Sequence, residues 1–161
     1  MRTFTFVHYG DPKGKGRARH RTMKLKSGKV FSQTYTPKET EDAEDFLHSA
    51  GERAMNGQPL FTGPLVVTAK FFRSIPASFS NKKREAALRG EIRPTSKPDL
   101  DNYEKLLDAL NKVVWEDDSY IVEWGAGSGK HYGDPPRTEI TVREWKYEDR
   151  AVIEGSNGER G

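Results

Sequence analysis

The sequence predicts a single α+β domain in which one small mixed β-sheet packs against helices. The chain has 161 residues, a length that suits one modest hydrophobic core. Strand-like and helix-like patterns follow one another along it without an internal repeat. Aromatic residues make up 11% of the chain, which argues against disorder despite a charged fraction of 32%.

The amino-terminal half is predicted to contain two strands and one long helix. Residues 3–8 alternate between apolar and polar side chains, as expected of a half-buried strand. Apolar residues at helical spacing predict a helix over about 37–55, with Thr36 as its capping residue. Residues 65–72 are rich in β-branched and aromatic side chains and predict a buried strand.

The carboxyl-terminal half is predicted to add two helices and two strands. Asn81 is expected to cap a short helix near 82–89, and helical spacing after Pro98 continues as far as Val114. Two strands (119–124 and 137–145), a glycine-rich connection between them (125–136) and a disordered tail (146–161) complete a chain whose domain spans 1–145.

The charge of the chain is unevenly distributed. Residues 11–30 hold eight lysines and arginines and one aspartate, so this segment carries +7 and the rest of the chain −4. The segment has too few apolar residues to pack and is predicted to be an exposed loop or ribbon. A basic segment on a mildly acidic body favours contact with a polyanion, and a merely solvated loop is the alternative.

Composition excludes several classes of site. The chain has no cysteine, which rules out disulfides, thiolate zinc sites and a cysteine nucleophile. The four histidines are scattered, without the paired spacing of zinc ligands. No apolar segment is long enough to span a membrane or to act as a signal peptide, so we expect a protein of the cytoplasm.

The segment KPDLDN at residues 97–102 places two aspartates at the start of a predicted helix. Asp99 and Asp101 can stabilise a helix start by capping and through the helix dipole. One carboxylate would satisfy that need, and a second one adds repulsion of order 1 kcal/mol unless a cation lies between them. Mg²⁺ prefers oxygen ligands and is usually held by one or two carboxylates, so the pair suits a Mg²⁺ site.

Further charged residues fit the same hypothesis. Lys105 follows Asp101 by one helical turn, where it forms either an ordinary ion pair or a cation that stabilises charge on a phosphodiester. Asp117 and Asp118 precede a predicted strand and can turn back toward the helix, although turns also favour aspartate. Asp108, one turn further along, is interpreted as a helix-surface or supporting residue.

Groups of residues in the second half of the chain follow a recognisable order. They are Lys97-Pro98-Asp99-Leu100-Asp101-Asn102, Lys105, Asp108-Ala109-Leu110, Asp117-Asp118-Ser119 and Ile121-Val122. Together they resemble the RusA-like family of Holliday-junction resolvases. The most specific part runs from Pro94 to Glu123, and the basic Lys13 to Arg21 stretch with Tyr35-Thr36-Pro37 extends the likeness up to about residue 145.

The resemblance implies a small homodimeric endonuclease that depends on Mg²⁺, with Mn²⁺ as a substitute. Such enzymes are common in phages and prophages; they bind four-way DNA junctions and cut two opposing strands symmetrically in recombination and repair. Carried over by position, the resemblance implies Asp99, Asp101 and Asp118 as metal ligands and Lys105 as the catalytic lysine. Asp117 is the alternative to Asp118, because the distance between the two motifs varies among members.

We expect the DNA to be held through its phosphates, as suits an enzyme that selects junction shape. The expected DNA-binding residues are Lys13, Lys15, Arg17, Arg19, Arg21 and Lys97. A homodimer is expected, because two matched cuts require two active sites related by a two-fold axis. Apolar candidates for its interface, which we interpret preferentially as core residues, are Phe71, Phe72, Ile75 and Phe79.

Two alternatives to a junction resolvase remain open. The first is a nonenzymatic DNA-binding protein, in which the basic segment binds nucleic acid and the carboxylates only cap a helix or a turn. The second is a Mg²⁺-dependent nuclease that acts on flaps or other branched DNA, since metal chemistry does not by itself choose the shape of the DNA.

Overall fold

A computed structural model describes residues 2–148 of the chain. These residues form seven strands and three helices, so the predicted α+β class is confirmed. The strands are β1 Thr3–Tyr9, β2 Arg19–Lys24, β3 Val30–Tyr35, β4 Leu65–Arg73, β5 Ile121–Trp124, β6 Gly129–Tyr132 and β7 Arg137–Glu144. The helices are α1 Lys38–Met55, α2 Asn81–Leu88 and α3 Leu100–Leu106, with 3₁₀ turns at Leu107–Leu110 and Asp118–Tyr120. The predicted disordered tail lies, from residue 149 onward, outside the described residues.

Five strands form the main sheet, which is mixed. β1, β7 and β4 are antiparallel neighbours in that order. The other edge of β4 pairs in parallel with two short strands, first with β5 near Leu65 and then with β6 from Lys70 to Arg73. β4 is therefore the central strand, and the turn that carries Asp117 and Asp118 leads directly into the sheet beside it.

The hydrophobic core is formed by the main sheet with α1, α3 and the segment that follows α3. Side chains alternate along a strand, and Leu65, Val67 and Phe71 of β4 all belong to this core. Full burial of each such side chain contributes about 1.5–3 kcal/mol. The largest side chains with less than 2% exposure include Trp115 and Tyr103, which lie just after α3 and within it.

The segment after α3 packs closely against α1 at Gly51. A Cβ atom at this position would lie 2.8 Å from Cδ2 of Leu110 and 3.3 Å from Cγ1 of Val113, so a larger residue would push the two segments apart. Leu110 and Val114 have no exposed surface. The far end of α3 is therefore fixed to the core, and the charged residues on α3 stand on a firmly packed support.

Two predicted helix caps were wrong. The N-cap of α1 is Pro37, not Thr36, and no side chain caps this helix. α2 is capped by Ser80, whose Oγ accepts the Lys83 N–H at 3.2 Å, while the predicted cap Asn81 is the first helical residue. At α2, Ser80 and Asn81 are neighbouring polar residues that can each serve as a cap, and backbone geometry rather than residue type decides between them.

The helix after Pro98 is shorter than predicted. The apolar spacing up to Val114 is real, since Val113 and Val114 are buried, but α3 ends at Leu106 and a 3₁₀ turn follows. Lys112 adopts a left-handed backbone (φ 64°), and its N–H donates to the Trp115 carbonyl at 2.8 Å. Burial rather than helical structure thus explains the apolar pattern beyond Leu110.

The segment predicted as an exposed loop or ribbon begins as irregular chain and continues into a hairpin of β2 and β3. Among residues 2–148 these two strands pair only with each other, and they form a second sheet that the sequence did not predict. Every residue of both strands is exposed. The glycine-rich connection likewise contains a strand, β6, which the sequence missed because four residues with one glycine give too short a pattern.

The apolar residues Phe71, Phe72, Ile75 and Phe79 do not behave as one group. Phe71 belongs to the core, as preferred, with 3% exposure. Phe72, Ile75 and Phe79 are half-buried. Among residues 2–148 no helix is both long and apolar enough to cross a membrane.

Candidate functional site

The start of α3 leaves the carboxylate of Asp99 unused by the helix. Asp99 occupies the N-cap position with an extended backbone, but its side chain accepts no capping hydrogen bond. Its backbone carbonyl instead accepts the N–H groups of Asn102 at 3.1 Å and Tyr103 at 3.4 Å. Capping therefore does not account for the Asp99 carboxylate, which is exposed at the surface.

Asp101 and Lys105 form an ion pair across one turn of α3. Lys105 Nζ lies 3.4 Å from Asp101 Oδ2, and the two side chains are 60% and 64% exposed. Water screens a pair of this kind, so it contributes only about 0.3–0.5 kcal/mol to stability. The ion pair keeps the Lys105 ammonium beside the Asp101 carboxylate, within the first turns of α3.

The neighbours Asp117 and Asp118 have different surroundings. Asp117 caps the following 3₁₀ turn through Oδ1, which accepts the Ser119 N–H at 2.8 Å, and this bond lowers the pKa of Asp117. The side chain of Asp118 instead contacts that of Asp108, which raises the pKa of Asp118, with partial burial and the charge of Asp117 adding to the effect. Asp117 is therefore engaged in the turn and with Asp118, whereas Asp118 interacts with both Asp117 and Asp108.

An acidic cavity of about 210 Å³ lies beside Asp118. Four of its described lining residues carry carboxylates, and none is a lysine or an arginine. The lining residues are Glu104, Leu107, Asp108, Asp118, Ile121, Val122, Glu123 and Trp124. Partial burial raises the pKa of Glu104, and the charge of Asp101 raises it further. Glu104 thus interacts with the charge of Asp101 at the start of α3, and it also lines the cavity near the end of this helix.

The structure does not gather the predicted ligands Asp99, Asp101 and Asp118 into one ready-made group. Within residues 2–148, no three histidine, aspartate or glutamate side chains lie close enough together to form a metal cage. Asp99 and Asp101 mark the start of α3, whereas Asp118 contacts Asp108 beyond the end of this helix. At a helical rise of 1.5 Å per residue, Asp108 lies roughly 10 Å further along the chain axis than Asp101.

The donor set nevertheless fits a hard divalent cation. All the candidate ligands are carboxylate oxygens, and Mg²⁺ commonly takes only one or two of these, completing its octahedron with waters and substrate phosphates. The Asp118 side chain lies against that of Asp108 at the edge of the cavity, and this contact raises the pKa of Asp118. A divalent cation bound there would favour the ionised form of both carboxylates.

The basic segment is anchored against the start of α3. The Lys15 N–H donates to the Asn102 carbonyl at 2.9 Å, and the Gly16 N–H donates to Oγ1 of Thr40 at 3.0 Å. Gly14 permits the close approach, because a Cβ atom there would lie 2.9 Å from Cβ of Pro98. The structure therefore brings the basic and the acidic parts of the sequence together, as one surface for DNA requires.

Lys15 has a role that the sequence did not predict. Its Nζ lies 3.2 Å from Asp108 Oδ2 and 3.5 Å from Glu44 Oε1. Partial burial alone would lower the pKa of Lys15, but the contacts with Asp108 and Glu44 outweigh it and raise the pKa. The ammonium of this lysine, expected to contact DNA, is partly exposed and is paired with two carboxylates, one of which, Asp108, lines the acidic cavity.

The other expected DNA-binding residues remain at the surface. Arg19 and Arg21 lie on β2, where the Arg21 guanidinium donates to Gln33 Oε1 at 3.0 and 2.8 Å and stacks 5.2 Å from the ring centroid of Tyr35. These contacts fix the Arg21 fork in place. Within the described residues, the exposed side chains of Lys13, Arg17 and Lys97 form no salt bridge or hydrogen bond.

A comparison with known families settles the class of this chain. A family model described as Endodeoxyribonuclease RusA matches residues 10–143, which include the basic segment, α3 and the Asp117–Asp118 turn. The chain belongs to the RusA family. A curated relative of this RusA chain, the uncharacterized protein YqaN of Bacillus subtilis (strain 168), is 35% identical over 147 residues, covering 89% of this chain and 98% of YqaN.

Membership of the RusA family assigns the class of chemistry. The family is one of endodeoxyribonucleases that act on branched DNA, so nuclease activity is the class of function supported for this chain. Three acidic residues near the matched aspartates were not predicted: Glu44, Glu104 and Glu123. Glu104 was within reach of the sequence, because Asp101, Glu104 and Asp108 are spaced three and four residues apart and share one helical face. Glu44 and Glu123 are brought in only by tertiary contacts.

Proposed function

We propose that this protein is a Mg²⁺-dependent endonuclease that resolves four-way DNA junctions by paired, symmetric phosphodiester hydrolysis in DNA recombination and repair. The proposal includes a homodimer, because one junction has two opposing strands to cut. It also places the enzyme in the cytoplasm of a bacterial or phage-infected cell. The observation that carries it is the anchoring of the basic segment on the start of α3, where the Lys15 N–H meets the Asn102 carbonyl at 2.9 Å.

The proposed metal ligands are Asp99, Asp101 and Asp118. The unused carboxylate of Asp99 and the crowded carboxylate of Asp118 support this choice, and the capping role of Asp117 favours Asp118 over its neighbour. Mg²⁺, or Mn²⁺ in its place, would lower the pKa of the attacking water and neutralise charge on the phosphate oxygens. The chain's own part is to supply these oxygen ligands on a rigid support next to the basic surface.

Lys105 is the proposed catalytic lysine. Water attacks the phosphorus atom and gives up a proton to solvent, the bond from phosphorus to the leaving oxygen breaks, and the leaving oxygen takes up a proton. In the transition state, negative charge develops on the equatorial and leaving oxygens. An ammonium group placed at that point stabilises the transition state more than the ground state. The exposed position of Lys105 beside Asp101 lets it approach a phosphate that the carboxylates face.

The DNA is held by the basic surface of the segment 13–21 and Lys97, through phosphates rather than bases. Lys13, Arg17, Arg19 and Arg21 are the exposed members, and the half-buried Lys15 anchors the segment through its ion pair with Asp108. Binding that depends on the positions of phosphates suits a junction, because a junction differs from duplex DNA in shape rather than in sequence.

Cleavage of a labelled synthetic four-way junction tests the proposal. The junction is compared with duplex and flap substrates, in Mg²⁺ and in EDTA, with the wild type and Asp101→Asn. We expect paired symmetric nicks in the junction that require Mg²⁺ and disappear in the variant, while junction binding persists. Preferential cutting of flaps would transfer the proposal to a flap nuclease, and binding without cutting in any divalent metal would favour a nonenzymatic DNA-binding protein.

A further inference from the structure

The hydroxyl group of Tyr103 is buried without a partner. Tyr103 lies in α3 with 1% exposure, and its ring stacks on Phe71 with 5.1 Å between centroids. Its hydroxyl is the one buried side-chain polar atom among residues 2–148 that makes no hydrogen bond. Leaving such a group unpaired costs about 1–3 kcal/mol, which phenylalanine would avoid. The hydroxyl therefore calls for a ligand that the protein itself does not provide.

A second cavity, of about 400 Å³, is lined in part by Tyr103. Its lining residues are Asp11, Pro12, Lys13, Gly14, Arg73, Ser74, Pro98 and Tyr103. Two of these side chains, Lys13 and Arg73, are cationic, so the residue that carries the buried hydroxyl borders a positively charged space.

The cavity carries a net positive charge, and Arg73 and Lys13 have N–H groups that no described residue accepts. Nη1 of Arg73 donates to the carbonyl and the hydroxyl of Ser96, at 3.1 and 2.9 Å, and within the described residues its Nε and Nη2 donate to nothing. Lys13 likewise has no ion pair in that part of the chain. Asp11 is already engaged, because its carboxylate accepts the N–H and the hydroxyl of Ser74 at 2.7–2.8 Å.

We propose that this cavity is a subsite for one phosphate of the bound DNA strand, with Lys13, Arg73 and the Tyr103 hydroxyl as its donors. Two cationic groups and a neutral hydroxyl match a phosphodiester, which accepts charge-assisted hydrogen bonds and donates none. Pro98 lines the cavity and directly precedes Asp99, so the subsite adjoins the proposed cleavage site. The inference rests on the proposed function in taking the ligand from branched DNA.

Tyr103→Phe is the sharpest test, because it removes only an unpaired oxygen. If the hydroxyl has no ligand, the variant will bind DNA like the wild type and will be as stable or slightly more stable. The subsite instead predicts an unchanged or raised Tm together with about tenfold weaker junction binding in EDTA, the size of one hydrogen bond to a charged group. Arg73→Gln tests a second donor, and Tyr147→Phe and Arg53→Gln are the controls at exposed positions elsewhere.

Junctions with a single neutral methylphosphonate locate the phosphate. One position near the cut should weaken wild-type binding about tenfold and should not weaken the Tyr103→Phe protein further, because the two changes remove the same interaction. Equal losses in both proteins at every position would overturn the subsite, as would wild-type affinity in both Tyr103→Phe and Arg73→Gln.

A second arm separates the subsite from the proposed function. Inorganic phosphate is titrated into ¹⁵N-labelled protein, and saturable shifts of the Ser74 and Lys13 amides are expected in the wild type but weakened in Tyr103→Phe and Arg73→Gln. If these shifts occur in a protein that binds no junction, the phosphate subsite is supported and the proposed junction binding is refuted. A wild type that binds and cuts junctions while these amides do not respond would refute the subsite alone.

Discussion

The acidic end of this molecule and its basic hairpin are built in opposite ways. The carboxylates of α3 stand on a support in which Leu110 and Trp115 have no exposed surface. In the part of the chain that the structure describes, β2 and β3 pair only with each other, and every residue of both strands is exposed. Groups that act on a reacting bond must be held within a fraction of an ångström, whereas groups that grip a phosphate backbone can adjust.

Three contacts anchor the segment that precedes the hairpin. The Lys15 N–H donates to the Asn102 carbonyl of α3, the Lys15 ammonium pairs with Asp108, and the Gly16 N–H donates to Oγ1 of Thr40 in α1. The exposed hairpin therefore begins a few residues after a segment that is fixed to the packed body. We expect catalysis and DNA binding to be separable by mutation, with Lys15 as the residue where they are coupled.

The largest expected effect is on stability, and it should be confined to the rigid region. Leu110→Ala removes a fully buried side chain that faces Gly51 and should cost about 2–5 kcal/mol. Phe31→Ala on β3 changes a side chain with 40% exposure and should cost below about 1 kcal/mol. Urea unfolding of both variants measures the difference. Equal losses would show that the hairpin is as firmly packed as the support of α3.

The next effect concerns chemistry alone. Lys105→Ala should lower the single-turnover cleavage rate by about 10²–10³, the usual cost of one donor to a developing anion, with junction affinity little changed. Arg89→Ala is the control for the loss of one exposed cation, because Arg89 pairs with Glu91 at the end of α2 and lines neither of the two cavities. A similar rate loss in both variants would point to a general charge effect.

A smaller effect belongs to the hairpin. Arg19→Gln with Arg21→Gln should reduce the log–log slope of junction affinity against salt by about 0.9 for each phosphate that the protein no longer neutralises. Arg53→Gln, in the last turn of α1, should leave the slope unchanged. Fluorescence anisotropy over a salt series measures the slopes. Identical slopes in the wild type, the double variant and Arg53→Gln would show that the hairpin arginines contact no phosphate.

The smallest expected effect is a change in Tm, which should have opposite signs for substitutions of the adjacent residues Asp117 and Asp118. Ionised Asp118 is disfavoured beside Asp108, so its raised pKa makes the folded state lose stability as the pH rises from the unfolded pKa to the folded one. Asp118→Asn should therefore raise Tm by about 1–3 °C at pH 7 and have no effect at low pH, where both forms are neutral.

Asp117 behaves in the opposite way. Its pKa is lowered by the Ser119 N–H, so its stabilisation is present above the unfolded pKa and is lost as the pH falls through the folded one. Asp117→Asn should lower Tm at pH 7. Thermal melts of both variants at neutral and acidic pH test the pair, and shifts of the same sign at pH 7 would contradict these assignments.

The sequence predicted the elements better than their boundaries. β1, α1, β4 and β7 appear within one or two residues of their predicted ranges, because each has a sustained apolar pattern. The length of α3 was overestimated, because buried residues after a helix can continue its spacing without its hydrogen bonds. β6 was missed because its place is fixed by parallel pairing with β4, which no local pattern encodes.

The site followed the same rule. The motif around Asp99 and Asp101 was visible because two charges at one helix start conflict with simple capping. The contact between Asp118 and Asp108 and the ion pair of Lys15 join residues far apart in sequence, and only folding reveals them. The apolar spacing likewise placed Tyr103 on the core side of α3, with no sign that its hydroxyl would lack a partner.

The most direct test of the account compares cleavage at saturating DNA. Single-turnover rates are measured on a four-way junction for the wild type, for Asp101→Asn and for Arg19→Gln combined with Arg21→Gln. The account predicts that Asp101→Asn binds normally and does not cut, and that the double arginine variant binds weakly but cuts at nearly the wild-type rate once saturated. Loss of binding and cutting together in both variants would contradict the separation of a rigid catalytic support from an adaptable DNA-binding hairpin.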